Sequence, residues 1–151
     1  SSYGKPGKKR TKFDYKKYES EVFPIESQVF LHKEDPYTHP LDIPIADLQK
    51  MNVDSIYISA KIFCLETINT DQFMGVFALK KDTTPIHTFA IDFAEKTYLK
   101  EKSWTDIQVA LKYNDTLFNR ADRLRIFAND VILRDVYLKD YEISYTGKDV
   151  K

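Results

Sequence analysis

The side chains best suited to catalysis or metal binding in this chain are three histidines and a single cysteine. His32, Asp35 and His39 lie close together, but their spacing fits neither one helix face nor one strand face. A turn at Asp35 explains their polar character without a metal ion. Cys64 falls on an alternating apolar face, which predicts a buried, unreactive thiol. We therefore predict no metal site and no cofactor.

The sequence also lacks the patterns of common enzymes. No Gly-x-Ser-x-Gly motif marks a nucleophile, and the four glycines form no phosphate-binding motif. The aspartates that could pair for glycoside hydrolysis fall in turn sequences, where turn chemistry accounts for them. The chain is therefore predicted not to be an enzyme.

One group of side chains on the polar faces of predicted strands is suited to ligand binding. It consists of Tyr57, Lys61, Phe63, Gln108, Arg123 and Arg125, with Tyr137 if the last strand keeps its register. Aromatic rings can stack on the flat apolar faces of sugars, while guanidinium and amide groups exchange hydrogen bonds with hydroxyl groups. The same residue types are also common as cross-strand pairs on a solvent-facing sheet. Both interpretations remain open from the sequence.

Strands have to position these side chains, and period-two alternation of apolar residues indicates them. The clearest stretches are residues 55–65, 104–113 and 122–129. Ile58, Val109 and Ile126 are central to their apolar faces and are expected to meet in the core. One apolar and one polar face on each strand is typical of antiparallel, half-buried sheets.

Further stretches complete an all-β prediction. Strands are expected at residues 22–31, 73–80, 86–93 and 136–145, with turn-forming residues between them. Single helical turns are expected at residues 46–51 and 95–100. This pattern predicts an antiparallel two-sheet sandwich with at most one or two short helical turns.

Charge is distributed unevenly although the formal net charge is zero, because residues 1–17 carry +6 and the remainder −6. The contrast predicts a basic disordered arm or linker at residues 1–18, a folded domain at 19–147 and a tail at 148–151. The arm fits a solvated linker, a juxtamembrane segment or a nucleic-acid-binding arm. Since the acidic domain offers no continuing basic face, no nucleic acid partner is predicted. No apolar run approaches the ~20 residues of a membrane helix, so no membrane insertion is predicted.

Five segments, taken in order, are similar to a known group of domains. They are residues 54–60 (DSIYISA), 73–79 (FMGVFAL), 103–107 (SWTDI), 122–129 (DRLRIFAN) and 136–143 (VYLKDYEI). Over residues 21–146 their order and spacing resemble the jelly-roll domains of the galactose-binding-like and carbohydrate-binding-module group. In that group a Trp opens a late strand, an Asp-x-Leu strand ending in Asn follows, and the closing strand carries an acidic pair.

The resemblance implies a jelly-roll sandwich that is a non-catalytic accessory module of a larger cell-surface or secreted protein. Its implied partners are an oligosaccharide or polysaccharide and other domains of the parent chain, and a cell-envelope or extracellular location follows from the resemblance alone. Trp104, the only tryptophan, has the chemistry of a sugar-stacking platform, but its place at the start of a strand in this group favours a structural role at the edge of the sandwich. Two positions depart from the group, since Lys139 stands where many members hold calcium and Ala128 where an aromatic ring is common. No calcium is therefore predicted.

An alternative function of another class remains open. The sandwich would then be a structural or protein-interaction module of a cell-envelope protein, with no small-molecule ligand. That alternative predicts a flat exposed apolar patch in place of an aromatic-lined groove.

Overall fold

Strands dominate the architecture, as the alternation predicts. The computed structural model describes residues 9–18 and 28–148. Its elements, in chain order, are β1 (Thr11–Lys12), α1 (Tyr15–Tyr18), β2 (Gln28–Leu31), β3 (Leu41–Pro44), α2 (Ile45–Lys50), β4 (Val53–Cys64), β5 (Phe73–Lys81), β6 (Thr84–Asp92), β7 (Thr105–Lys112), α3 (Asp115–Phe118), β8 (Arg123–Asp130) and β9 (Val136–Gly147). None of the helices in these described ranges is long and apolar enough to cross a membrane.

The strands form two antiparallel sheets. In the five-stranded sheet, β9 pairs with β1 and β2 on one side and with β4 on the other, and β7 follows β4. The four-stranded sheet has the order β3-β8-β5-β6. The chain passes from one sheet to the other at most of its connections, which is the strand arrangement of a jelly roll. The predicted all-β, antiparallel two-sheet jelly-roll sandwich is confirmed.

The core lies between the two sheets and contains the inward side chains that the alternation predicts. Ile58 and Ile126 are fully buried, and Val109 is 5% exposed. Gly75 of β5 marks a close approach of the sheets, because a Cβ atom there would lie 2.5 Å from Cγ2 of Val109 and 3.2 Å from Cδ1 of Ile58. No larger side chain fits at this position without movement of its neighbours.

A β-bulge divides β9 into two registers against β4. Lys139 pairs with Lys61, whereas Glu142 pairs with Ser59, so β9 contains one extra residue between these points. Asp140 adopts a φ of 55° within the bulge. Such bulges let the two ends of a strand keep their own pairing.

The residue after the bulge helps to connect the two sheets. The hydroxyl group of Tyr141 lies 3.0 Å from Oγ1 of Thr38, and that oxygen accepts a hydrogen bond from the backbone N–H of Ala128 in β8. Tyr141 of the five-stranded sheet is thereby tied to the four-stranded sheet.

The predicted arm at residues 1–18 is corrected for the part that the structure describes. Thr11 and Lys12 pair with β9, and Phe13 is only 3% exposed. The hydroxyl group of Tyr15 accepts a hydrogen bond from the backbone N–H of Ile143. The rings of Phe13 and Tyr15 therefore attach this segment to the sandwich. The predicted arm was based on the charges of the segment and did not take these two rings into account. Residues 1–8 lie outside the described part of the chain.

Other predicted elements differ in detail. The helical turn at residues 46–51 is confirmed as α2, whereas residues 95–100 form no helix and Leu99 instead pairs with Ile68. Helix α3 replaces a predicted turn, and Oδ1 of Asn114 caps it by accepting from the N–H of Leu117. With α1, the described residues contain three short helices. Of the strand predicted at residues 22–31, only β2 falls in the described part.

Candidate ligand-binding face

An exposed row of aromatic side chains crosses the outer face of the five-stranded sheet. This aromatic row consists of Phe30 in β2, Tyr137 in β9, Phe63 in β4 and Trp104 immediately before β7. Phe30 and Phe63 are both cross-strand partners of Tyr137. Because residues in register on one face of adjacent strands stand side by side, their rings come into contact. The ring centroids are 4.8 Å apart for Phe30 and Tyr137, 6.3 Å for Tyr137 and Phe63, and 5.6 Å for Phe63 and Trp104.

The rings of the aromatic row differ in their orientation relative to one another. Phe30 is stacked against both His32 and Tyr137, with interplanar angles of 24° and 23°, and it is 43% exposed. Phe63 is instead tilted by 66° from Tyr137 and by 48° from Trp104. The ring of Trp104, which is 44% exposed, lies beside the tilted ring of Phe63.

Trp104, predicted to have a structural role at the sandwich edge, is not buried there. Trp104 is 44% exposed and lies on the outer face beside Phe63. Ile62 of β4 pairs with Thr105 of β7. Because the strands are antiparallel, the next residue of β4, Phe63, lies beside the residue that precedes Thr105, Trp104. The sequence does not show this pairing register, because alternation within one strand does not indicate which residue of a neighbouring strand lies opposite.

A polar groove of about 460 Å³ lies next to the aromatic row. Its lining residues are Ser59, Ala60, Lys61, Thr97, Asp106, Ile107, Gln108 and Asp140. Nζ of Lys61 is 3.9 Å from Oδ1 of Asp106, and both side chains are largely exposed. The bulge turns Asp140 outward into the groove, a common use of such irregularities. The groove thus combines a cationic donor with carboxylate acceptors and an amide.

Two lysines face each other across β4 and β9 beside the aromatic row. Lys61 and Lys139 are cross-strand partners, an arrangement of like charges that weakens a sheet. Asp106 offsets the charge of Lys61, while Nζ of Lys139 lies 5.5 Å from the centroid of the Trp104 ring. A cation at this distance is attracted to the ring face. Trp104 therefore helps the sheet to accommodate Lys139.

The predicted ligand residues on this sheet fall into two places. Lys61, Phe63, Gln108 and Tyr137 belong to the groove or the aromatic row. Tyr57 is on the same face but lies six residues before Phe63 in β4, a distance of about 20 Å along a strand. The guanidinium group of Arg10 is 3.9 Å from the centre of its ring. The N-terminal segment therefore covers Tyr57.

Arg123 and Arg125, predicted as part of the same ligand face, lie on the opposite side of the molecule. Both belong to β8 in the four-stranded sheet. Nε of Arg123 donates to Oδ1 of Asp42 over 3.0 Å, and Nη2 of Arg125 donates to Oδ2 over 3.2 Å. Alternation showed correctly that these side chains point outward, but it cannot tell which sheet a strand joins. The seven predicted residues do not form a single surface.

Cys64 and His32, two further candidates for chemistry, both contact neighbouring groups of the protein. Cys64 is 2% exposed, burial raises the pKa of its thiol, and Sγ lies 3.8 Å from the carbonyl oxygen of Leu99. The predicted buried thiol is confirmed. Nδ1 of His32 lies 3.3 Å from Oε2 of Glu34. Within residues 9–18 and 28–148, no three His, Cys, Asp or Glu side chains are grouped to hold a metal ion.

Comparison with known proteins gives similarity only at the level of structure. No protein-family model and no curated protein matches the chain. The xylan-binding domain CBM22-1 of Paenibacillus barcinonensis Xyn10C has 11% identity and a TM-score of 0.45, over 72% of this chain and 65% of that chain. A CBM4 structure has 10% identity and a TM-score of 0.45, over 79% and 71%. This chain thus spans just under two thirds of the first structure.

Proposed function

We propose that this chain is a non-catalytic carbohydrate-binding module, which holds an oligosaccharide or polysaccharide on the outer face of the five-stranded sheet. The observation that supports the proposal is the aromatic row lying directly beside the polar groove. A sugar ring has apolar faces and a rim of hydroxyl groups, so it needs stacking surface and hydrogen-bonding groups side by side. In the proposed role, the module is an accessory part of a larger cell-surface or secreted protein.

The stacking surface of the proposed site is formed by Phe63 and Trp104. Their rings are tilted relative to their neighbours, and nearly half of the surface of Trp104 is exposed. Lys61 lies on the same face of β4, two residues before Phe63. Asp106 lies two residues after Trp104. A sugar stacked on the two rings therefore has its rim within reach of an ammonium group and a carboxylate.

The polar side chains of the groove have complementary hydrogen-bonding roles. Lys61 can only donate, Asp106 and Asp140 can only accept when ionised, and Gln108 can do both. Hydroxyl groups also donate and accept, so a neutral sugar can satisfy all of these groups at once. The mixed charge of the groove favours hydroxyl-rich ligands over strongly charged ones.

Titration with a panel of oligosaccharides, monitored by amide chemical shifts and calorimetry, tests the proposal. We expect a binding glycan to shift the amide peaks of Phe63, Trp104 and Gln108. Trp104→Ala should weaken that binding by about tenfold or more, because it removes stacking surface.

The matched control is Tyr37→Ala. Tyr37 is also an exposed aromatic residue, at 52%, but it contacts Phe127 of the four-stranded sheet. The control should leave glycan affinity unchanged. The proposal fails if no glycan in the panel shifts the named peaks, or if Tyr37→Ala weakens binding as much as Trp104→Ala does.

A second candidate function is protein docking, and three exposed aliphatic residues favour it. Leu65, Val131 and Leu133 are each between 45% and 47% exposed. Leu133 has a φ of 59°, an uncommon conformation for a bulky residue. Leu65 follows the end of β4 and the other two lie between β8 and β9. If titration with glycans shifts no amide peaks of the aromatic row or the groove, the result would favour this second function.

A further inference from the structure

Strand β6 is an unprotected edge of the four-stranded sheet. It has nine residues and, within the described part of the chain, pairs only with β5. An unpaired strand edge presents a row of free backbone N–H and C=O groups to any other strand. Native proteins usually blunt such edges with short length, charged side chains, proline or bulges.

These protections are missing from most of β6. Residues 84–91 contain no Asp, Glu, Lys or Arg. Pro85 and the one register shift both lie at the start of the strand. By contrast, the edge strand β3 has only four residues, and the edge strand β7 contains Asp106 and Lys112. Among the strands of residues 9–18 and 28–148, β6 is therefore the long edge that remains open to pairing.

The backbone groups that point to the free edge can be assigned from one hydrogen bond. The N–H of Phe93 donates to the carbonyl oxygen of Phe73 over 3.0 Å, so position 93 points toward β5. Backbone groups of an antiparallel strand alternate in direction, so positions 91 and 89 also point toward β5. The N–H and C=O groups of Thr88 and Ala90 consequently point away from the sheet.

We propose that β6 pairs antiparallel with β6 of a second copy of this chain, around a two-fold axis at Phe89. In this register Thr88 lies opposite Ala90 of the second copy, and Ala90 lies opposite its Thr88. Each of these pairs exchanges two backbone hydrogen bonds, and the four-stranded sheets of the two copies join into one continuous sheet.

The composition of β6 is the reason for choosing a second copy as the partner. A strand that pairs with itself around a two-fold axis brings its own charges together, and β6 has none before Asp92. Thr88 and Ala90 are exposed and small, so they do not obstruct the approach of another strand. Phe89 is only partly buried, although its partner Phe77 is fully buried. Pairing at the axis would bring Phe89 against its symmetry mate and remove both from water.

Sedimentation of the chain across micromolar to millimolar concentrations tests the proposal. We expect a monomer–dimer equilibrium that Ala90→Lys weakens by about tenfold or more, because two lysines would then flank the axis. Ala110→Lys is the matched control, since Ala110 is also an exposed alanine on an edge strand, in β7. Circular dichroism of both variants checks that each remains folded.

Hydrogen exchange provides a second measurement that does not require a variant. The amides of Thr88 and Ala90 should become protected at high concentration and exchange rapidly on dilution, while the amide of Phe89 changes little. A chain that stays monomeric at millimolar concentration overturns the proposal. So does a dimer that Ala110→Lys disrupts and Ala90→Lys does not, or one in which the Thr88 and Ala90 amides stay unprotected.

Discussion

The outer faces of the two sheets treat their charged side chains differently. On the five-stranded sheet, Lys61 and Asp106 are 3.9 Å apart, and 48% and 87% of their side-chain surfaces are exposed. On the four-stranded sheet, Asp42 is held by both Arg123 and Arg125 at 3.0 and 3.2 Å, and its side chain is only 26% exposed. The first face leaves these charges exposed to solvent, whereas the second uses them within the protein.

This difference shows how an outward-facing arginine should be interpreted. Arg123 and Arg125 have the right chemistry for ligand recognition, yet each already donates to Asp42. A charge-assisted bond to a partly buried carboxylate competes with any ligand for the same donor. The partners of a polar side chain therefore matter more than its type.

The largest expected effect on stability comes from a substitution at Gly75, which forces the two sheets apart. Gly75→Ala should lower the free energy of unfolding by about 1–3 kcal/mol, because the added methyl group overlaps Cγ2 of Val109. Urea unfolding measures the change. Gly147→Ala is the control, since its new Cβ atom would meet only an ordinary contact at 3.7 Å. Equal losses in the two variants would show that Gly75 does not mark a close approach.

A smaller effect separates the two faces directly. Asp42→Asn should cost about 1 kcal/mol of stability, since it removes the carboxylate that two arginines share. Asp106→Asn, the corresponding change on the five-stranded sheet, should have almost no effect on stability because its ion pair is long and exposed. Urea unfolding at low and high salt measures both. A loss for Asp106→Asn that matches the loss for Asp42→Asn would remove the contrast between the faces.

The smallest expected effect concerns a buried carboxylate at the end of the four-stranded sheet. Asp130 is 1% exposed, and burial raises the pKa of its carboxyl group, although the charge and the backbone N–H group of Arg134 favour the ionised form. The folded protein then holds this proton more tightly than the unfolded chain does. Stability therefore falls as pH rises from the unfolded pKa through the folded pKa, and the cost is fully present above the folded value.

Asp130→Asn removes that cost by removing the charge. We expect it to stabilise the protein at neutral pH by less than about 1 kcal/mol, with the gain shrinking at a pH below the ordinary aspartate pKa. Thermal unfolding measured over a series of pH values provides the data. Asp106→Asn serves as the exposed control and should show no such trend. A gain for Asp130→Asn that is independent of pH would contradict the assignment.

The extent to which the sequence predicted the molecule depends on whether a feature is local. The inward positions of Ile58, Val109 and Ile126 follow from alternation within single strands, and the structure confirms them. Strand β3 escaped prediction because its four residues include Asp42 and end in a proline, which leaves too little alternation to detect. Alternation also does not show which of the two sheets a strand joins. For this reason Arg125 was predicted to share one ligand-binding face with Gln108.

In the candidate site, too, local features were predicted and features set by strand pairing were not. Phe63, Lys61 and Gln108 were predicted because each lies on the polar face of its own strand. Phe30 and Trp104 were missed as members of the row because their positions are fixed by pairing with other strands. Contacts of this kind join residues far apart in the chain, and no local pattern records them.

The single inserted residue at Asp140 has a consequence for how the last strand tolerates change. Because side chains on a strand alternate in direction, losing one residue here would turn one half of β9 over relative to the other. Either Tyr137 would leave the surface for the interior, or Ile143 would leave the interior for water. A length change of one residue at this point therefore cannot be absorbed within the bulge.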